Sequence, residues 1–311
     1  MKSKSHRYIF GPVPSRRLGL SLGIDIVPLK SCTLDCVYCQ LGKSSDLTNE
    51  RLDFVPVAEV IGQLKEKLEQ RGKADYITIS GSGEPSLNLS LGRIIDEIKK
   101  LTKIPIAILT NGTLLYDPAV RADCAKADVV LPSLDAGDAE TFAKINRPHK
   151  GLHFDAIVDG LCQFRKEFKG QIWLEVFMVE GVNTGDIQLA NIKNIIGRIK
   201  PDKVQLNTAV RPTTEPGIAA VVAEKMAAIA EKIGFNVEVI ADYPQAKFAS
   251  GRHIDRDGVL ALLLRHPCSL DDVCSGLNIT YDEASRHLTE LLSIGLVISE
   301  EKGDKIFYKV K

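Results

Sequence analysis

Residues 31–40 read Ser31-Cys32-Thr33-Leu34-Asp35-Cys36-Val37-Tyr38-Cys39-Gln40. Three cysteines fall in the spacing C-x3-C-x2-C, with an aromatic residue directly before the last. Four thiolates would complete the ligation of a [4Fe–4S] cluster. Three leave one iron without a protein ligand, and a metal with an open position takes a small molecule. Two plainer readings compete. A structural zinc site wants a fourth Cys or His and commonly a second C-x2-C pair, which the chain lacks. A disulfide uses cysteines in pairs and belongs to oxidising compartments.

The spacing, with Tyr38 before Cys39, resembles the signature of the radical S-adenosylmethionine (radical SAM) superfamily. The resemblance implies that Cys32, Cys36 and Cys39 hold a [4Fe–4S] cluster. It implies that SAM chelates the open iron through its amino and carboxylate groups. One electron then breaks the S–C5′ bond, and a 5′-deoxyadenosyl radical takes a hydrogen atom from a substrate. Chemistry of this kind belongs to the cofactors; the protein supplies orientation and a dry pocket.

Composition agrees with a globular enzyme and narrows its partners. The chain has 311 residues, of which 44% are hydrophobic and 26% charged, ordinary values for a soluble protein. Forty basic residues balance forty acidic ones, so there is no global pull toward nucleic acid or acidic lipid. No apolar run reaches the length of a membrane span. The start, Met1 to Arg7, is basic without the apolar stretch of a signal peptide. The expected location is the cytoplasm, where thiolates stay reduced.

Strand-like and helix-like periods alternate through about residue 245. Candidate strands are Ser21–Pro28, Tyr76–Ser80, Ile104–Leu109, Asp128–Ser133, Ile172–Val179, Lys203–Leu206 and Val237–Ile240. Gly11 to Gly19, rich in turn residues, reads as an ordered loop leading into the first strand. Alternation of this kind predicts an α/β fold of parallel βα units. Periodicity does not choose between a closed barrel and an open sheet; the resemblance implies a partial (βα)6 barrel. Parallel βα folds gather their chemistry at the carboxyl ends of the strands.

Those ends carry the candidate cofactor contacts. Gly81-Ser82-Gly83-Glu84-Pro85 resembles the superfamily's GGEP element, which holds the SAM amino group. The glycine pair is interrupted here, so the role carries to Gly83, Glu84 and Pro85. Asn111, in Thr110-Asn111-Gly112, matches a turn that superfamily members carry near the cofactor. Ser133 and Asp135 are candidates for the ribose hydroxyls and the SAM carboxylate, and Asn207 for the adenine. Tyr38 joins them through the signature. Arg16, Arg17, Glu175 and Arg211 are candidate substrate contacts, and Arg147 is another. For Glu175 the plainer reading is a charged partner on an adjacent helix.

Residues 8 to 245 resemble a largely uncharacterised radical SAM family grouped with nitrogenase-cofactor biosynthesis and wyosine-type tRNA-modifying enzymes. Wyosine synthases use further cysteines for a second cluster. Here Cys124 and Cys162 stand alone on expected helices and read as core thiols, which weakens that assignment. No cobalamin-binding stretch is evident.

The core is expected over residues 1–250 and a second domain over 251–311. Leucines at Leu260, Leu263, Leu270, Leu277, Leu288 and Leu291, with Ser269 and Thr280 as helix caps, resemble a winged helix-turn-helix. Its third helix turns Tyr281, Ala284, Leu288 and Leu291 inward, and Lys302-Gly303-Asp304 tips the wing. Residues 252–311 hold eight Lys or Arg against ten Asp or Glu. Phosphate binding needs a basic face, so sequence-specific DNA binding is not expected, and RNA, peptide or protein contact is. His266, Cys268 and Cys274 read as buried structural residues rather than a sensor.

The expected function is reductive cleavage of SAM to modify a substrate, with a tRNA nucleotide placed first and a peptide or small metabolite next. The expected electron donor is a ferredoxin or flavodoxin. The alternative is a regulator that reads the redox state of its cluster through the winged domain.

Overall fold

Apolar, β-branched runs such as Tyr76-Ile77-Thr78-Ile79 and Val129-Val130-Leu131 suit strands covered on both faces, the habit of a parallel sheet under helices. The computed structural model describes residues 7–70, 73–234, 236–241, 256–277 and 279–311. Its main sheet has eight strands: β1 Ile9–Ser15, β2 Gly19–Ile24, β3 Tyr76–Ile79, β4 Ile106–Leu109, β5 Val129–Leu131, β6 Gln171–Met178, β7 Lys203–Thr208 and β8 Val237–Val239. Their order in space is their order in sequence. All neighbours from β2 to β8 are parallel, and β1 pairs antiparallel with β2.

That order settles what periodicity does not. An unreversed order sends each right-handed crossover over the same face, so the sheet has no switch point of the doubly wound kind. Such a sheet curls toward a barrel. Here β1 and β8 are its two edges, which makes the barrel partial and open on one side.

One expectation is corrected. Gly11 to Ser15, read as loop, belongs to β1. A bulge between Phe10 and Val13 absorbs Gly11 and Pro12. Proline is tolerated there because an edge strand has no second neighbour awaiting its N–H.

Among the described residues seven helices cover the outer face: α1 Val57–Glu69, α2 Leu91–Leu101, α3 Pro118–Cys124, α4 Ala139–Asn146, α5 Phe154–Glu167, α6 Asp186–Ile199 and α7 Ala223–Ile233. Their apolar stripes, such as Ile94, Ile95 and Ile98 of α2, are buried against the strands. Asp138 caps α4 by accepting from the Thr141 N–H at 2.8 Å, satisfying a first-turn donor.

The described residues of the C-terminal part form three helices, α8 Arg256–Leu263, α9 Leu270–Leu277 and α10 Tyr281–Ser293. A small sheet joins β9 Cys268–Ser269 to the hairpin of β10 Val297–Lys302 and β11 Lys305–Val310. Ser269 and Asp272 cap α9 reciprocally, at 3.2 and 3.0 Å, a capping box built with Asp. Thr280 caps α10. Ala284, Leu288 and Leu291 turn inward, but Tyr281 does not: it is about half exposed, and its hydroxyl donates to Asp271. A phenol in the first turn of α10 keeps its oxygen at the surface, where a carboxylate meets it. Tyr243 to Gly251, including the expected domain limit at 250/251, lie outside the described residues.

This unit lies across the open side of the sheet. Val13 of β1 packs into its core, and the Arg265 guanidinium stands 3.6 Å from the Phe10 ring centroid. On the other side, Lys302 Nζ donates to the Arg211 carbonyl at 2.7 Å. Asp272 faces the Arg211 guanidinium at 3.6 Å, both side chains under a tenth exposed.

Candidate active site

The cysteine loop follows β2 and is braced from three directions. From the loop after β3, the Glu84 N–H donates to the Ser31 carbonyl at 3.0 Å, and the Lys30 N–H donates to the Ser82 carbonyl. Gly83 makes that approach possible: a Cβ there would stand 2.0 Å from the Ser31 oxygen. From the end of α4, the Ile145, Asn146 and Arg147 carbonyls accept from the N–H groups of Val37 and Asp35 at 2.9 to 3.2 Å, and the His149 N–H donates to the Thr33 carbonyl at 2.9 Å. Helix ends leave carbonyls without internal partners; here the cysteine loop supplies the donors. Arg147, left-handed at φ 44°, turns the chain so that the contact continues. From the segment after β7, the Thr214 hydroxyl and N–H both donate to the Cys39 carbonyl, at 2.7 and 2.9 Å.

Each thiol is raised by burial: Cys32 to about 12, Cys36 well above the ordinary value, and Cys39 upward. Opposing this, N–H groups point at sulfur. Asn146 Nδ2 lies 3.3 Å from Cys36 Sγ, and Asn111 Nδ2 lies 3.6 Å from Cys32 Sγ. Backbone donors from Leu34, and from Leu41 and Gly42, serve Cys32 and Cys39. A metal displaces thiol protons on binding, and N–H donors suit the sulfur charge that results. The donor set therefore fits an iron–sulfur cluster. Among the described residues no three Cys, His, Asp or Glu side chains converge as ligands of a single ion. A cluster asks for less convergence, because each thiolate meets a different iron.

Most of the strand-end candidates lie around this loop. Glu84 is buried, and its carboxylate accepts from the Ser86 N–H and hydroxyl, from the Thr110 hydroxyl at 2.6 Å and from the Asn111 N–H at 2.7 Å. Burial raises its pKa, and these donors oppose the rise. Pro85 opens the short 3₁₀ turn that follows. Asn111 donates to the Thr33 hydroxyl at 2.7 Å and accepts from Thr113. Asp135 accepts from the Tyr38 hydroxyl, from Asn146 Nδ2 at 2.7 Å and from the Phe177 N–H at 2.9 Å. Burial pushes it up to about 6 against those donors. Tyr38 stacks on Phe177 with ring centroids 3.8 Å apart. Ser133 pairs through its backbone with Glu175 beyond the end of β5.

A second group is charged and interior. Glu175 is paired with Arg17, which comes from the β1–β2 turn and not from an adjacent helix. Asn207 Nδ2 donates to its other oxygen at 2.9 Å. Burial alone would raise the Glu175 pKa; the Arg17 guanidinium, Asn207 and Arg16 outweigh it and hold the group below its ordinary value. Arg16 donates to the Ile240 and Ala241 carbonyls at 2.9 and 3.1 Å. Arg211 faces Asp272 of the C-terminal unit. Arg16, Arg17 and Arg211 thus serve internal contacts, and Arg147 pairs with Glu215 at 2.5 Å.

Asn146 escaped the sequence reading. Its place at a helix end beside Arg147-Pro148 gave no signal, because its partners Asp135 and Cys36 are 11 and 110 residues away. Cys124 is buried, as expected, while Cys162 borders a shallow outer depression of about 720 Å³ between helices. Cys268 and Cys274 are buried, and Cys268 Sγ lies 3.1 Å from His266 Nδ1. No helix among the described residues is long and apolar enough to cross a membrane.

The radical SAM superfamily model matches residues 26–191. A Brachyspira hyodysenteriae protein named GTPase Obg is 40% identical over 312 residues, covering 99% of this chain and 46% of that protein. The chain thus spans about half the length of that relative. The UPF0026 protein MJ1312 of Methanocaldococcus jannaschii is 32% identical over 309 residues, covering 96% of this chain and 94% of that one. Among solved structures, TYW1 with a lysine–pyruvate adduct bound matches with a TM-score of 0.52 at 16% identity, over 72% of this chain and 75% of that one. Streptococcus suis SuiB bound to its precursor peptide SuiA matches at 0.54 and 16% identity, over 70% and 48%; SuiB has also been solved bound to S-adenosylmethionine. At such identities the likeness is one of fold. The cysteine loop, the unreversed parallel sheet and these relatives agree: the chain belongs to the radical SAM superfamily and to its UPF0026 relatives, a family of enzymes whose cofactors are S-adenosylmethionine and an iron–sulfur cluster.

Proposed function

We propose that Cys32, Cys36 and Cys39 hold a [4Fe–4S] cluster and that the chain cleaves SAM reductively beside it to modify a substrate. The observation that carries this is the cysteine loop itself: three thiols on one loop, braced from three sides, with side-chain N–H donors on two sulfurs. With cluster and SAM bound, the cofactors supply the electron and the 5′-deoxyadenosyl radical. The chain's own residues orient them. Gly83, Glu84 and Pro85 present a tight edge to the SAM amino group, with Asn111 anchoring the loop beneath. Ser133, Asp135 and Asn207 line the strand ends on the ribose and adenine side, and Tyr38 fixes the rim of the loop. A ferredoxin or flavodoxin is the electron donor in this reading.

An RNA nucleotide, first of all in tRNA, is the substrate class proposed. Supporting it is a cleft of about 320 Å³ between the cysteine loop and the C-terminal unit, to which Lys30, Lys309 and Lys311 contribute and, among the described residues, no acidic one does. In this reading residues 1–250 carry the chemistry and residues 251–311 help hold the RNA.

The test is anaerobic reconstitution with iron and sulfide, then dithionite and SAM, with 5′-deoxyadenosine as the product measured. Wild type should cleave SAM and Cys36→Ala should not. RNA should accelerate cleavage, with a strong salt dependence; acceleration by a peptide instead would replace the substrate class. A loaded cluster that never cleaves SAM but shifts a DNA probe would move the redox-sensing regulator ahead of the enzyme.

A further inference from the structure

We infer that Asn146 is a positioning residue that sets the redox poise of the cluster through Cys36; this rests on the cysteine reading above. Asn146 closes α4 and is about 2% exposed. Its amide nitrogen donates both to Asp135 Oδ2 at 2.7 Å and to Cys36 Sγ at 3.3 Å. Both neighbours are acceptors, a carboxylate and a sulfur. Only the NH₂ end of the amide can face them, so the orientation is fixed by chemistry. The cost is visible at the other end: Asn146 Oδ1 is buried and meets no hydrogen-bond donor among the described residues. An acceptor left unsatisfied in this way marks a side chain held for what its nitrogen does.

The support behind it is rigid. Asp135 is itself fixed by the Tyr38 hydroxyl and the Phe177 N–H. The Asn146 carbonyl accepts from the Asp35 N–H at 3.0 Å, one residue before Cys36. One residue thus holds the backbone of the loop and the sulfur at its centre. Hydrogen bonds to sulfur withdraw charge from an iron–sulfur cluster and favour its reduced form. Outer partners that orient a ligand change its behaviour when removed. Asn111 offers a weaker comparison, since its nitrogen stands 3.6 Å from Cys32 Sγ and is shared with the Thr33 hydroxyl.

The test compares reconstituted wild type, Asn146→Ala, Asn146→Ser, Asn111→Ala and Cys36→Ala by iron and sulfide content, EPR of the reduced cluster and a poised redox titration. Asn146→Ala should keep wild-type iron and sulfide but move to a more negative potential. At the poise that half-reduces wild type, its ratio of reduced to oxidised cluster should fall roughly tenfold. Asn111→Ala should move less. If Asn146→Ala loads no cluster, Asn146→Ser is read in its place, with a smaller shift in the same direction. A loaded Asn146 variant with the wild-type potential and EPR spectrum overturns the inference. Full iron in Cys36→Ala overturns the cysteine reading instead, a separate result.

Discussion

Glu175 shows how a polar residue survives inside a parallel sheet. A carboxylate removed from water is costly unless it is paired, and Glu175 has a guanidinium on one oxygen and an amide on the other. Its place in an otherwise apolar run, Ile172 to Val179, marked it as unusual in the sequence. Its partner was not visible there, since Arg17 lies 158 residues earlier. Removing one member of a buried pair leaves the other uncompensated. Arg17→Ala should therefore lower unfolding stability by about 3 kcal/mol in urea denaturation at neutral pH. Adding Glu175→Gln should recover part of the loss, because it removes the stranded charge. Equal stability of Arg17→Ala and wild type would show that solvent reaches the pair.

Among elements, the loop after β3 and the end of α4 do more than connect. Each presents backbone groups to the cysteine loop at fixed distance, and Gly83 sits where the approach is closest. In Gly83→Ala the added methyl meets a backbone oxygen that cannot move without carrying Cys32 with it. The expected result is a loss of about 2 kcal/mol and reduced iron uptake on reconstitution. Gly62 is the control: it lies within α1 with no atom of the described residues within 4 Å of an added Cβ. Gly62→Ala should stabilise by about 1 kcal/mol through helix propensity, with iron uptake unchanged. Iron uptake that falls alike in both variants would separate it from the cysteine-loop approach.

At the scale of the whole molecule, the C-terminal unit lies across the gap that the unreversed sheet leaves open. The junction buries charge, and His266 records it. Burial first, then the neighbouring guanidiniums of Arg211, Arg16 and Arg265, push its pKa down from 6.5 to about 3, against a bond to the Pro267 carbonyl. The folded chain therefore holds His266 neutral in a range where the unfolded chain takes up a proton. Its contribution is full above about 6.5 and is lost as the pH falls from there toward 3. Each pH unit in that window should cost up to about 1.4 kcal/mol. Denaturation curves from pH 7.5 to 4.5 should show this slope reduced in His266→Gln. An unchanged slope would assign the acid sensitivity to the carboxylates.

The superfamily and the class of fold were legible in the sequence. Three cysteines at fixed spacing are local, and local spacing survives any tertiary arrangement; apolar alternation likewise reports burial residue by residue. The helix caps at Ser269 and Thr280 and the hairpin turn at Gly303 were legible for the same reason. Tertiary structure decided the rest. Strand order, which makes the barrel partial, depends on pairings between residues far apart in the chain. It also made an edge strand of Gly11 to Ser15, where turn residues had suggested a loop. It drew Arg16, Arg17 and Arg211 into internal ion pairs and carbonyl contacts, and brought Asn146 onto Cys36. A charge or an amide looks the same in sequence whether it faces water, a substrate or a buried partner, and only the folded distances tell these apart.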